Sequence, residues 1–202
     1  MITERKEIQE QRMKGYFIEA TKDILKGEGL KNISVRNIAE RAGYSFATLY
    51  NYFKDVKELV FYCVKDFQTE CETHVKERSD KTTRGSKKLK AITKAYLEYF
   101  IQYPGIFELF FIEKLSDIGG NQEASALIIS FLDRLCDEEW NYCIAHKLIA
   151  QKDAVRIKAS LLNTTTGLLL LYVHRRHPKD YAEYNKLVNE QIEHILNEVK
   201  VQ

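Results

Sequence analysis

The chain's apolar residues recur at three- and four-residue intervals and almost nowhere alternate. Met13, Tyr16, Phe17, Ala20, Ile24 and Leu25 form one such series, the mark of a helix with one buried face. Gly27 and Gly29 close it, because glycine tolerates the left-handed backbone just past a helix end. Ser34 then stands where a hydroxyl can accept a first-turn amide. That predicts a short helix over Val35 to Arg41, ended by Gly43. Ser45 caps the next helix in the same way, over Phe46 to Phe53. Asp55 caps a fourth, longer one with the stripe Val60, Val64, Phe67, Cys71 and Val75.

The polar, glycine-bearing stretch RSDKTTRGSKK, residues 78–88, reads as a loop. Helical patterns follow over 86–103, 104–116, 121–148, 151–176 and 180–199. Pro104 falls in a first turn and Pro178 between the last two helices, both positions that accept proline. No stretch alternates convincingly as a strand, and the expected fold class is all-α.

At 202 residues, 45% hydrophobic and 30% charged, the chain can bury a sizeable core. No apolar run follows the charged opening MITERKEIQEQRMKG, so no secretory signal is expected. The longest apolar stretch, Gly167 to Val173, is too short to span a bilayer. A cytoplasmic protein with no membrane partner is the expectation. Cys63, Cys71, Cys136 and Cys143 show neither C-x-x-C nor zinc spacing. They read as reduced buried thiols or, for Cys136 and Cys143 seven apart on one helix face, as a redox pair. No metal or cofactor is expected. Residues 1–57 carry 11 Lys and Arg against 8 Asp and Glu, a net of +3, within a chain of net charge +2. The excess is compatible with nucleic-acid contact. H-E-x-x-H, a phosphate-binding glycine loop and G-x-S-x-G are all missing, so the chain is not read as an enzyme and no catalytic residue is assigned.

The segment NISVRNIAERAGYSFATLYNYFKD, residues 32–55, carries the functional signal. Two short helices joined by a glycine turn form a helix-turn-helix, in which the second helix enters the DNA major groove while the first crosses the backbone. Ile38, Ala39 and Leu49 must then point inward to fix the angle between them, and Gly43 must supply a turn too tight for most side chains. Tyr50, Asn51 and Tyr52, taken alone, read equally as a packed cluster or as a surface facing phosphates.

The pattern ISVRNIAERAGYSFATLYNYF followed by KELV resembles the DNA-binding domain of the TetR family of transcriptional regulators, over residues 10–62. YFIQYPGIFELFF resembles the N-P-G-L-[YF]-x-L-x-F stretch in the body of many members. The resemblance implies a three-helix head over 1–56, and a helical effector-binding and dimerising body over 57–202. It also implies two-fold binding to a palindromic double-stranded DNA operator. Ser34 and Arg36 match positions that approach DNA, Arg36 reaching phosphate or a guanine edge. Ser45, Phe46, Ala47, Thr48, Tyr50, Asn51 and Tyr52 match the recognition helix. The two tyrosine hydroxyls would go to phosphates, Asn51 to adenine and Phe46 to a thymine methyl. Leu49 and Phe53 match structural positions. Phe46 departs from the lysine, proline or glutamine of many members. The family lysine that opens the fourth helix falls on Val56, leaving Lys54 and Lys57 to take over its phosphate contact.

In the body, the 151–176 helix is apolar nearly all round in its second half, so it should be covered on every side. The last two helices are expected to pair with those of a second copy through Leu168, Leu169, Tyr172, Tyr184, Val188, Ile192 and Ile195; an intrachain core is the other reading. Pairing would set two heads about one DNA turn, roughly 34–36 Å, apart. Phe67, His74, Tyr96, Phe100, Phe107, Phe110, Phe111 and Trp140, with Asn163 and Thr166 as polar groups, would line a pocket for a hydrophobic effector, or else form plain core. His174 and His177, beside Arg175 and Arg176, complement a helix C-terminus rather than hold a metal. The resemblance implies a repressor released by its ligand. An effector-independent DNA-binding protein of nucleoid or cell-division type, or an activator with the same head, are the alternatives.

Overall fold

The computed structural model describes residues 2–113, 122–197 and 199. Ten α-helices run through them: α1 Ile2–Gly27, α2 Val35–Ala42, α3 Phe46–Tyr50, α4 Val56–Ser79, α5 Ser86–Gln102, α6 Pro104–Phe111, α7 Gln122–Ile129, α8 Phe131–Ala145, α9 Gln151–Val173 and α10 Tyr181–Leu196. Among the described residues there is no strand, and the fold is all-α. Packing divides the chain into two compact units. One comprises Met1–Gln68 with Tyr103–Ile128, the other Thr69–Gln102 with Ile129–Gln202.

The first unit holds the head and more. Phe17, Ile24, Ile38, Leu49, Phe53 and Leu59 make its core, with Met13, Val35, Tyr52 and Val56 packed around them. Tyr16, expected in the buried stripe of the first helix, turns outward instead. α1 begins eleven residues before that stripe, on a segment rich in helix-forming Glu, Gln, Lys and Arg. α6 belongs to this unit and lies close against the end of α1: a Cβ placed on Gly105 would stand 2.4 Å from the Leu25 carbonyl oxygen. Lys26 Nζ lies 5.4 Å over the Phe67 ring and 5.1 Å over that of Tyr103. The nearly buried Lys22 meets Glu19 at 2.8 Å and Asp66 at 3.4 Å, tying α1 to α4.

α4 starts as expected, with Asp55 Oδ1 accepting the Glu58 amide at 2.8 Å. Its residues Val60, Val64, Phe67, Cys71 and Val75 are all buried. The helix expected over 104–116 stops at Phe111, and 114–116 lie outside the described residues. The single helix expected over 121–148 is two, α7 and α8, parted at Ser130; residue 121 lies outside the description.

In the second unit α5 packs against α8, α9 and α10. Tyr96 and Phe100 meet edge to face at 4.9 Å, and Tyr96 also faces Phe131. The connection between α4 and α5 is pinned to α8 by Glu139. This buried carboxylate accepts from Arg84 Nε at 3.0 Å and from the Gly85 amide at 2.5 Å, while the Arg84 guanidinium lies 4.0 Å over the Tyr142 ring. Removing the carboxylate strands an amide and an arginine. Glu139→Ala is therefore expected to cost about 2 kcal/mol, with Glu139→Gln intermediate, as read from urea unfolding midpoints. A midpoint unchanged in Glu139→Ala would show that the clamp contributes nothing.

Candidate nucleic-acid interface

The turn between α2 and α3 is built by backbone chemistry. Gly43 sits at φ 75, in the left-handed region. Its amide returns to the Glu40 carbonyl at 3.1 Å and that of Tyr44 to Ala39 at 2.9 Å, the paired bonds of a Schellman close. Each helix is also capped at its start. Ser34 Oγ accepts the Asn37 amide at 3.1 Å, and Ser45 Oγ accepts the Thr48 amide at the same distance. Ser45 and Thr48 further share a hydroxyl bond of 2.9 Å, which engages both residues before any DNA arrives. The regular part of α3 is shorter than the expected Phe46–Phe53. From Asn51 the chain tightens, its amide bonding to Thr48 and that of Tyr52 to Leu49.

This geometry sorts the segment into two faces. Ile38, Ala39, Leu49 and Phe53 are buried. Outward stand Ser34, Arg36, Ser45, Phe46, Ala47, Tyr50 and Asn51, with Phe46 64% and Tyr50 53% exposed. Thr48 and Tyr52 are half-buried. The Tyr52 ring lies 6.3 Å from that of Phe17, at the edge of the core. Arg41 is paired with Glu28 at 2.6 Å, whereas Arg36 has no ion pair among the described residues. Val56, where the family carries lysine, packs on the core, while Lys54 and Lys57 on either side are exposed.

Two aromatics were not legible as part of this surface. Tyr44, directly before the Ser45 cap, and Tyr16 on α1 are both exposed, their rings 5.9 Å apart. Helical periodicity had assigned Tyr16 to the interior, and nothing local to the sequence separates it from Phe17.

Residues 17–63 match the family model described as bacterial regulatory proteins, tetR family. That segment, and not the rest of the chain, carries the family match. Among curated protein sequences none matches it. Solved structures share its fold at low identity. A TetR-family transcription regulator from Marinobacter aquaeolei VT8 is 16% identical, with a TM-score of 0.67 over 98% of this chain and 100% of that one. The fatty acid degradation regulator FadR from Bacillus halodurans is 16% identical, with a TM-score of 0.71 over 91% and 94%. FadR from Bacillus subtilis, solved in complex with stearoyl-CoA, is 15% identical, with a TM-score of 0.70 over 92% and 98%. The matched segment, residues 17–63, lies within the first unit.

The residues expected around an effector divide between the units. Phe67, Phe107, Phe110 and Phe111 belong to the first, where the Phe107 and Phe111 rings lie 5.3 Å apart. His74, Tyr96, Phe100, Trp140, Asn163 and Thr166 belong to the second. Asn163 is exposed there and Thr166 half-buried. His74 meets Tyr99 edge to face at 5.7 Å, and burial, then the Arg78 charge, lower its pKa. The Tyr96 hydroxyl is fully buried with no hydrogen-bond partner among the described residues, and burial holds its pKa well above the usual phenol value. Trp140 lines a cavity of about 180 Å³ between α8 and α9.

Of the residues expected at a subunit interface, Leu168, Leu169, Tyr184, Val188 and Ile192 are buried within their own unit, and Tyr172 and Ile195 are half-buried. The outward stripe of α9 is a different set. Val155, Ala159, Leu162, Thr166, Leu170 and Val173, spaced by three or four, are exposed or half-exposed along its length. All four cysteines are buried and free. Burial pushes the thiols of Cys63, Cys71 and Cys136 far up and that of Cys143 to about 11, so none is primed as a thiolate. Among the described residues no cluster of side chains is arranged to hold a metal ion, and no helix is long and apolar enough to cross a membrane.

Proposed function

We propose that this chain is a cytoplasmic repressor that binds a palindromic operator as a homodimer and releases it when a hydrophobic small molecule binds. The observation that carries the reading is the sorted α3: Leu49 sealed in the core while Phe46, Tyr50 and Asn51 stand in solvent. A recognition helix needs that combination, an inner face that fixes its angle and an outer one that reaches base edges and phosphates. Arg36 adds a cation with no ion pair among the described residues, Lys54 and Lys57 flank the start of α4, and all three would go to phosphate.

The α9 stripe from Val155 to Val173 supports pairing of two copies through α9 and α10, and Tyr172 and Ile195, both half-buried, keep surface to offer a partner. A monomer would leave that apolar row in water. Effector binding in the body reaches the head through α4, whose N-terminal half belongs to the unit with the head and whose C-terminal half to the other. For release, the effector must bind the DNA-incompetent arrangement more tightly, since equal affinity shifts nothing. The stearoyl-CoA bound by the Bacillus subtilis FadR makes acyl thioesters one class to assay.

Footprinting on the DNA upstream of its own gene, combined with sedimentation, tests the reading. The expected result is a two-fold symmetric footprint made by a dimer. A uniform, strongly salt-dependent affinity for every sequence would reduce the protein to non-specific phosphate contact, and a monomer at footprinting concentrations would remove the paired-groove geometry.

A further inference from the structure

The cavity between α8 and α9 has a definite chemistry. Leu132, Leu161, Leu162 and Trp140 give it apolar walls, and Asp133 and Lys158 stand at its rim. At about 180 Å³ it compares with the engineered apolar cavity of about 150 Å³ that takes up benzene. It is far too small for a long acyl chain. Lys158 Nζ lies 2.8 Å from Asp133 Oδ1 and 5.9 Å from the centre of the Trp140 ring. Asp133 Oδ1 is buried and takes the Lys158 ammonium as its ion partner. A carboxylate oxygen has two lone pairs, so one remains to accept a further donor.

We infer that this cavity is the effector site, and that it takes a small neutral ring compound bearing one hydroxyl. The ring fills the apolar space against Trp140, and the hydroxyl donates to Asp133 Oδ1. Charge selects the class. The rim holds one cation and one anion, so a ligand carboxylate would face Asp133 and a ligand ammonium would face Lys158, each at a desolvation cost that a neutral hydroxyl avoids. Ala159 and Leu162 border the opening and also lie on the outward stripe of α9, so occupancy is felt on the face where copies are proposed to pair. The regulatory part of this inference rests on the repressor reading above; the binding part does not.

Trp140 is the chain's single tryptophan, which makes its fluorescence a direct report on the cavity. Phenol, benzoate and benzylamine present one ring in three charge states and are the probes. Phenol is expected to change the Trp140 emission saturably and to raise Tm, with benzoate and benzylamine at least about tenfold weaker, the equivalent of one charge-assisted hydrogen bond. Leu161→Phe, which fills the cavity, should abolish the phenol response without lowering Tm. Asp133→Asn, on a partly exposed side chain, should weaken phenol about tenfold and reverse the order in favour of benzoate, because Lys158 is then uncompensated. No response to phenol, an undiminished response in Leu161→Phe, or benzoate binding the parent as well as phenol does would each overturn the inference. Operator retention in the same samples reports separately on the repressor reading. Release on phenol supports both, whereas phenol binding with the operator still held keeps the ligand site and overturns its role as the effector site. Failure to bind the operator before any phenol is added counts against the repressor reading alone.

Discussion

Gly105→Ala is expected to destabilise the protein by about 3 kcal/mol, a change opposite in sign to the one helix propensity gives. Gly105 is the second residue of α6, and alanine inside an exposed helix is better than glycine by about 1 kcal/mol. Here the added Cβ would lie 2.4 Å from the Leu25 carbonyl oxygen and 3.5 Å from that of Lys26. Both obstacles are backbone at the end of α1, so no rotamer change relieves them, and α6 must lift from α1 or α1 must fray. Lifting would also disturb the place of Tyr103 under the Lys26 ammonium. Urea unfolding of parent and variant decides the matter, since the two effects differ in sign. A midpoint equal to the parent's or above it would mean that the seam yields freely and that propensity rules. The glycine of the Y-P-G stretch thus has a physical reason in this chain, the close approach of two backbones.

That reason was out of reach of the sequence because it joins residues eighty positions apart. What the sequence did disclose is local chemistry. Ser34, Ser45 and Asp55 announce helix starts because each cap is a hydroxyl or carboxylate three residues before the amide it accepts. Gly43 announces a helix end because few other residues take φ 75. The inward Ile38, Ala39 and Leu49 follow from what a helix-turn-helix requires, and Phe53 from the structural position it matches in the TetR resemblance.

Period fails where it has nothing to contrast. The first eleven residues of α1 have no apolar stripe, and their helicity comes from composition. Along α9 the run Leu168 to Leu171 is apolar on all sides, and sequence cannot say that Leu168 and Leu169 face inward while Leu170 and Leu171 stand about 40% exposed. Of the residues expected at an interface, Leu168, Leu169, Tyr184, Val188 and Ile192 thus lie buried within their own unit, and the outward stripe of α9, weakened by Ala159 and Thr166, gives only a faint periodic signal. The cavity beside Trp140 is illegible for a similar reason: an aromatic at helical spacing looks the same whether its neighbours close over it or leave a gap.

Leu49→Ala and Tyr50→Ala, adjacent on α3, are expected to fail in different ways. Leu49 is 0% exposed in the core it shares with Phe17, Ile38 and Phe53. Truncating it removes buried methyl groups and leaves a void that five helical residues cannot collapse around, a loss of about 3 kcal/mol. Operator binding should fall with it, because the angle of α3 is no longer fixed. Tyr50 is 53% exposed, and its hydroxyl makes no hydrogen bond among the described residues. Its removal should leave stability within about 0.5 kcal/mol and weaken operator binding about tenfold, the worth of one phosphate bond with its ring contact. Unfolding curves and anisotropy on the footprinted DNA, at one salt concentration, separate the two. Arg36→Ala gives the third point: it should also lower the slope of log affinity against log salt by about one, since a neutralised phosphate is lost, whereas Tyr50→Ala should leave that slope alone. Parent-like operator binding by Tyr50→Ala would detach this face of α3 from DNA, and with it the assignment of Phe46 and Asn51 to base edges.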